Sequence, residues 1–373
     1  MLSQGVESRE KIGRLVSFPN DVIEQNYNPA VHRLALITAV ATFPLIFMGG
    51  LVTSHQAALS VPDWPNSWGY NMFTFPPSKW VGGIFFEHTH RLAASAVGFL
   101  TILLMIVTWR TDQRRWVRWT SVGVFLGVFV QGIIGGQRVV QNLNDLAIIH
   151  GCVAQLFFCF VAIFCVMTSR FWTKRRNLAP LPVIRTIYNL SVITVGIIVA
   201  QLVVGVIMRH SDAGLAIPDF PTSYGHLLPP THIDAAFRQE AIHRFGMELG
   251  LNRVTLFQIW IHFAHRIGAA LVSISVITLA AAMLLRIRSE PALTRPAWIA
   301  LGLLIVQVTL GILTVLLRKP ADIASAHVAV GSLLLVTTCV IAVRAMRLLG
   351  ATSSSGVEAD SAEMDLQYAA TNE

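Results

Sequence analysis

Residues 297–317 read AWIALGLLIVQVTLGILTVLL, an unbroken run without a single charge. About 20 such residues, rising about 1.5 Å each, cross the hydrocarbon core of a bilayer. Backbone groups there have no water to bond, so a run this long and apolar must be a helix. Working outward, similar runs stand at approximately 33–53, 83–109, 117–137, 146–168, 187–208, 257–285 and 323–343. The expected fold is an all-α polytopic membrane protein with eight transmembrane helices. Composition agrees: the 373 residues are 54% hydrophobic and 13% charged, against about 25% charged in soluble chains. This argues against a soluble enzyme and against a disordered chain.

The net charge of +8 sits in short loops rather than on a basic face. It therefore predicts membrane orientation and no nucleic-acid partner. Eighteen Lys and Arg fall in one set of alternate segments and eight in the other. Both termini are expected in the cytoplasm of a bacterium, with the chain multi-pass in its plasma (inner) membrane. The long loops 54–82 and 209–256 then lie outside. Glu7, Glu10, Asp21 and Glu24, with no apolar core beside them, argue against a signal or transit peptide. Cys152, Cys159, Cys165 and Cys339 all lie inside apolar runs and form no CxxC, so neither a loop disulfide nor a thiolate metal site is expected.

The chain is also a tandem repeat. LSVPDWPNSWG at 59–69 matches LAIPDFPTSYG at 215–225, and Glu87-His88-Thr89-His90-Arg91 matches His262-Phe263-Ala264-His265-Arg266. Gln131, Gly135, Asp145 and His150 match Gln307, Gly311, Asp322 and His327. The expected architecture is two pseudo-symmetric four-helix bundles in parallel repeat, related by an axis along the membrane normal. The segments read as a cytoplasmic N-terminus (1–32), an N-terminal half (33–168), a cytoplasmic linker (169–186), a C-terminal half (187–345) and a disordered cytoplasmic tail (346–373).

Charges inside spans are rare and usually functional. Here they are Glu87, Arg91 and Arg266. His90, His150, His265 and His327 each lie a few residues into an even-numbered helix, roughly 6–13 Å below its outer end. Helix bundles build cofactor sites from such facing side chains. Imidazole suits iron, and two axial histidines complete a heme. Zinc would want three or four ligands, and each half offers two. The bland alternative is four polar residues bonding across helices. His88 lies about 200° around the helix from His90 and cannot share its iron. His262 shares the face of His265 and stands where the first half has Glu87. Arg91 and Arg266 suit propionates by paired hydrogen bonds, or snorkel to headgroups. Glu87 reads as a proton-handling acid beside His90, or as an ion-pair partner of Arg91. The repeated loops read as lids or as interfacial loops anchored by Trp. Glycines 49, 50, 132, 135, 136, 205 and 311 read as helix packing. His55 and His210, at the starts of the outer loops, are weak candidates, and the insertion within 226–256 has no evident role.

These features resemble the heme A synthases over about residues 33–345. The resemblance rests on two four-helix halves, Glu-x-x-His-Arg at 87–91, His-Arg at 265–266, and His150 and His327. It implies that one ring methyl of heme o is hydroxylated twice and that the gem-diol loses water to give the formyl of heme a for terminal oxidases. It implies heme b as cofactor on His265 and His327, and heme o as substrate on His90 and His150, with Glu87 catalytic. Arg91 and Arg266 would accompany the substrate heme and heme b respectively. A heme o synthase, cytochrome oxidase assembly factors and an unidentified electron acceptor are the implied partners. Loop 54–82 lacks the cysteine pair of some members, so a redox disulfide does not carry over. Spacing alone also fits a bis-His diheme cytochrome b-type electron carrier, or a heme transporter or chaperone. Glu87 in one half only favours the enzyme.

Overall fold

The computed structural model describes residues 27–173, 181–246 and 249–370, with side chains described as far as Gly350. Of the expected cytoplasmic segments, 1–26 and 174–180 lie outside the described residues. Eight helices are long and apolar enough to cross a membrane. They are α1 (Pro29–Ser54), α2 (Gly83–Thr111), α3 (Arg115–Gln141), α4 (Asn144–Thr168), α5 (Leu181–His210), α6 (Leu256–Arg286), α7 (Pro291–Leu316) and α8 (Ala321–Ala370).

Most helices overrun their apolar runs because their caps lie outside them. Asn28 accepts from the Ala30 and Val31 N–H groups and Pro29 opens α1. Thr255 and Gln258 form a capping box on α6. Glu290 caps α7, with Pro291 in its first turn. These residues satisfy orphan N–H groups at helix starts. The apolar crossing of α8 ends at Gly350, yet its helix continues to Ala370. The sequence reads 346–373 as a disordered tail; the Ala, Glu, Met, Leu and Gln there are good helix formers, and they extend α8 instead.

α1 and α3 each pack against α2 and α4; α5 and α7 each pack against α6 and α8. Each half thus closes its own four-helix ring, compatible with the repeat. The halves meet where α1 and α4 touch α8, and where α4 touches α5. Val97, Val124 and Phe164 sit in the core of the first ring, and Leu279, Leu293 and Ile341 in that of the second. Val40, Phe99, Trp119, Ile274 and Ile305 are exposed on the outside. That outer apolar surface suits a lipid solvent and would be a liability in water. Both long loops lie at the same end of the rings, called the outer end below.

An even number of spans returns the chain to its starting side. The basic residues predict that this side is the cytoplasm. A periplasm-active reporter fused after Gly350 should be silent, and a cytoplasm-active one bright. The reverse pattern would invert the topology.

Candidate functional site

The two repeated loops fold alike, bond for bond. Each contains a cis X-Pro peptide, Trp64–Pro65 in one and Phe220–Pro221 in the other. Each then makes a two-residue turn, closed by the bridges Ser67–Tyr70 and Ser223–His226. The turn residues Trp68–Gly69 and Tyr224–Gly225 all have positive φ, the conformation that tight hairpins need. Asp63 accepts from the N–H groups of Trp68 and Gly69, both at 2.7 Å. Asp219 accepts from those of Tyr224 at 2.7 Å and Gly225 at 2.8 Å. Trp68 Nε1 donates to the Ser60 carbonyl, and the Tyr224 hydroxyl donates to the equivalent carbonyl of Ala216.

Arg91 and Arg266 hold these loops down. Arg91 donates to the carbonyls of Val61 (2.7 Å), Asp63 (2.6 Å) and Asn66 (3.0 Å). Arg266 donates to the repeat-equivalent carbonyls of Ile217 (3.2 Å), Asp219 (2.6 Å) and Thr222 (2.8 Å). The terminal nitrogens of both arginines therefore bind loop carbonyls. Both act as clamps on the loops.

Glu87 and His262 also do matching work. Glu87 is buried, accepts from the Val61 N–H at 2.9 Å and pairs with Arg91 at 2.7 Å. His262 is buried and accepts from the equivalent Ile217 N–H at 3.3 Å. The carboxylate thus sits in the seam between the first loop and α2. His88 faces the same loop, bonding Ser67 Oγ at 3.1 Å and lying edge-on to Trp80. His55 stacks on Phe86 with ring centres 4.0 Å apart. Trp64 extends the first loop over α3, where a Cβ on Gly136 would run into its ring. The loop is a lid on the first ring.

Beneath the lids, each candidate ligand histidine lies against a glycine on the preceding helix. A Cβ on Gly49 would stand 3.1 Å from His90 Cε1, and one on Gly135 2.8 Å from His150 Cε1. Gly205 and Gly311 would each stand 3.0 Å from Cε1 of His265 and His327. Carbon atoms pack at about 3.5–4.0 Å, so a methyl group at any of the four would displace an imidazole. These glycines are part of the site as well as of helix packing.

Glutamines fix the rings, and sequence reasoning gave them no role. Gln131 donates to the His150 carbonyl at 2.7 Å. Gln201 donates to the His265 carbonyl at 2.8 Å and faces its Nδ1 at 3.0 Å. His327 Nδ1 donates to the Gln307 carbonyl at 3.1 Å. In that tautomer the Nε2 lone pair faces the Gln307 side-chain amide at 3.3 Å, a neutral contact that a ligand at Nε2 would replace. Gln131 and Gln307 were visible as repeat-matched polar residues in apolar spans; Gln201 has no such match. Arg209, beyond Gln201 on α5, ties the halves together by donating to the Gly50 carbonyl and Ser54 Oγ.

The histidines come in pairs. His265 and His327 have ring centres 6.3 Å apart. An atom about 2 Å from a nitrogen of each ring fits that gap. In the first half the Nδ1 atoms of His90 and His150 are both buried without a hydrogen-bond partner. Among the described residues no three His, Cys, Asp or Glu side chains gather as a metal cluster. Paired imidazoles with orphaned or freed nitrogens fit a planar iron cofactor entering between helices.

Eight spans carrying one imidazole pair in each half, under matching lids, define a membrane protein with two candidate cofactor sites at its outer end. Residues 70–339 match the COX15-CtaA family, described as cytochrome oxidase assembly protein, and the chain belongs to that family. It is 26% identical to a heme A synthase of Shewanella oneidensis, over 83% of this chain and 94% of that protein. It is 28% identical to a heme A synthase of Shouchella clausii, over 61% of this chain and 75% of that protein. A heme A synthase of Chelativorans is 25% identical, over 79% of this chain and 85% of that protein.

Burial pushes Asp63 and Asp219 up, but the N–H donors of the turns outweigh it, and both carboxyls lie below their ordinary value of 3.8. A depressed carboxyl contributes stability above its unfolded pKa and loses it as pH falls through the folded one. Loop protection from proteolysis should therefore be constant at neutral pH and fade only below about pH 4. Asp219→Asn should loosen residues 222–226 at pH 7 by on the order of 1 kcal/mol, read as faster amide exchange. Unchanged exchange there would remove the carboxylate from the lid's support.

Proposed function

We propose that this chain is a heme A synthase that oxidises one methyl group of heme o to the formyl group of heme a. The observation that carries the reading is the pair of imidazole pairs, each ring seated on a glycine beneath a clamped lid. The relatives support it by name, and favour synthesis over a bare electron carrier or a heme transporter.

The halves divide the work. In the second half the lid is buttressed: Tyr224 is only 4% exposed, with the rings of Phe237 and Phe245 at 4.8 and 6.0 Å. Phe237 and Phe245 lie on the helix Ala235–Phe245, so the insertion in the second outer loop covers its lid. In the first half the equivalent Trp68 is 52% exposed. A covered lid suits a permanent cofactor and an open one suits a substrate that enters and leaves. His265 and His327 accordingly hold heme b, which supplies one-electron redox chemistry when bound. His90 and His150 hold heme o.

With water as the oxygen source, two hydroxylations take up two waters and release four electrons and four protons, and the gem-diol then returns one water to leave the formyl group. Protons must leave that carbon's surroundings. Glu87 is the acid placed to take them, beside His90 and under the lid, with Arg91 holding its other oxygen. A heme o synthase would supply the substrate, oxidase assembly factors would receive the product, and an electron acceptor would drain the electrons.

Replacing His265 or His327 by Ala should remove a low-spin bis-His absorption spectrum from the purified protein. An unchanged spectrum and heme content in both variants would overturn the cofactor assignment. Glu87→Gln keeps size and the bond to the Val61 N–H, but cannot take up a proton. Co-expressed with a heme o synthase, it should keep the C-terminal heme yet accumulate heme o or the hydroxymethyl stage, with heme a reduced at least about 100-fold. Near-normal heme a would leave Glu87 as a lid and ion-pair residue only.

A further inference from the structure

The two arginines that sequence reasoning offered to a porphyrin's carboxylates are occupied by loop carbonyls. A different cation is not. Arg138 lies in the last turn of α3 and is half-buried. Among the described residues its guanidinium has no hydrogen-bond or ion-pair partner. Gln131, Gly135 and Arg138 follow at i, i+4 and i+7, one stripe of the helix. The lower two members of that stripe face His150: Gln131 through its carbonyl and Gly135 through its ring. Arg138 continues the stripe one turn nearer the outer surface. Its place on the stripe that meets His150, together with its half-burial, sets it over the first ring rather than on the lipid-facing side of α3.

A half-buried guanidinium with no directly bonded partner bears desolvation that the carboxylate of Glu87, itself paired with Arg91, offsets only in part. Its planar fork matches a carboxylate bidentately. The repeat-equivalent position in the second half is Thr314, whose hydroxyl is bonded within its own helix to Leu310 at 2.7 Å. The cation therefore belongs to the first half alone.

We infer that Arg138 is a specificity-determining residue that binds a propionate carboxylate of the porphyrin held by His90 and His150. This rests on the reading of the first half as the substrate site. Arg138 touches no reacting methyl; it selects a porphyrin carrying a free acid and sets the ring's rotation between the two imidazoles. Fixing that rotation decides which methyl lies near Glu87.

The test uses the full-length protein carrying its C-terminal heme, titrated with iron protoporphyrin and, separately, with its dimethyl ester. In the unaltered protein the second equivalent should bind the free acid about 10- to 100-fold more tightly than the ester, as expected for a charge-assisted bond. Arg138→Gln should weaken the acid by that factor and leave the ester unchanged. Arg138→Lys should keep part of the preference. His90→Ala should abolish the spectral change of the second equivalent for both ligands. An acid preference undiminished in Arg138→Gln overturns the assignment while leaving the substrate site standing. If Arg138→Gln binds neither ligand, the lysine variant decides: a retained acid preference upholds the role and equal affinities overturn it. If the unaltered protein takes up no second porphyrin, both the substrate-site reading and this inference fall.

Discussion

The close approach of a helix backbone to an imidazole is the constraint on which the rest of the site depends. At Gly49, Gly135, Gly205 and Gly311 the space that a methyl group would take is occupied by Cε1 of a histidine on the next helix. In lipid, helix association depends on such packing and on interhelical hydrogen bonds, because the hydrophobic effect does not distinguish a neighbouring helix from an acyl chain. The same contact therefore sets the helix spacing and the ring position. Around it the glutamines act on carbonyls and ring nitrogens of the same histidines. A metal ligand's orientation is governed by such outer partners as much as by its own rotamer.

The second organising element is the arginine clamp. Arg91 is buried beside Glu87, and a buried ion pair alone often fails to offset its own desolvation. Three loop carbonyls change that balance, since hydrogen bonds to a charged group contribute about 1.5–3 kcal/mol each. Removing either clamp would thus cost lid closure before it cost anything else. The position after each candidate ligand histidine thus serves the lid architecture.

Much of this was legible in the residues. Eight spans follow from run length, and the placement of the four histidines beneath the loops follows from their matched depth in the repeat. Charge and residue type mislead where one side chain can serve two ends. Arg91 and Arg266 resemble carboxylate forks because a guanidinium binds a carbonyl cluster with the same donors. The site glycines looked like packing because the two uses require the same missing Cβ. Gln201 has no repeat counterpart, and its role exists only once α5 and α6 are side by side. Arg138 lies at the edge of an apolar run, so by sequence it counts as a loop charge; only the extension of α3 to Gln141 turns it onto the face of His150.

The repeat then makes the functional asymmetry readable. Two halves share a lid, a clamp, paired imidazoles and their glycines, so those parts cannot explain different roles. What differs is small. Glu87 stands where the second half has His262, Arg138 where it has Thr314, and Trp68 lies open where Tyr224 lies under the helix Ala235–Phe245. Under the proposed division of the halves, each difference suits a reacting site more than a resident cofactor: an ionisable acid, an additional cation and a lid left uncovered. The lid bond that Glu87 shares with His262 shows how such a change is tolerated. Both side chains accept one backbone N–H from the loop, so the carboxylate keeps the architecture intact while adding an ionisable group beside His90. Chemistry was introduced at a position whose structural duty either residue could perform, and this is why the acid can be buried there without unmaking the fold.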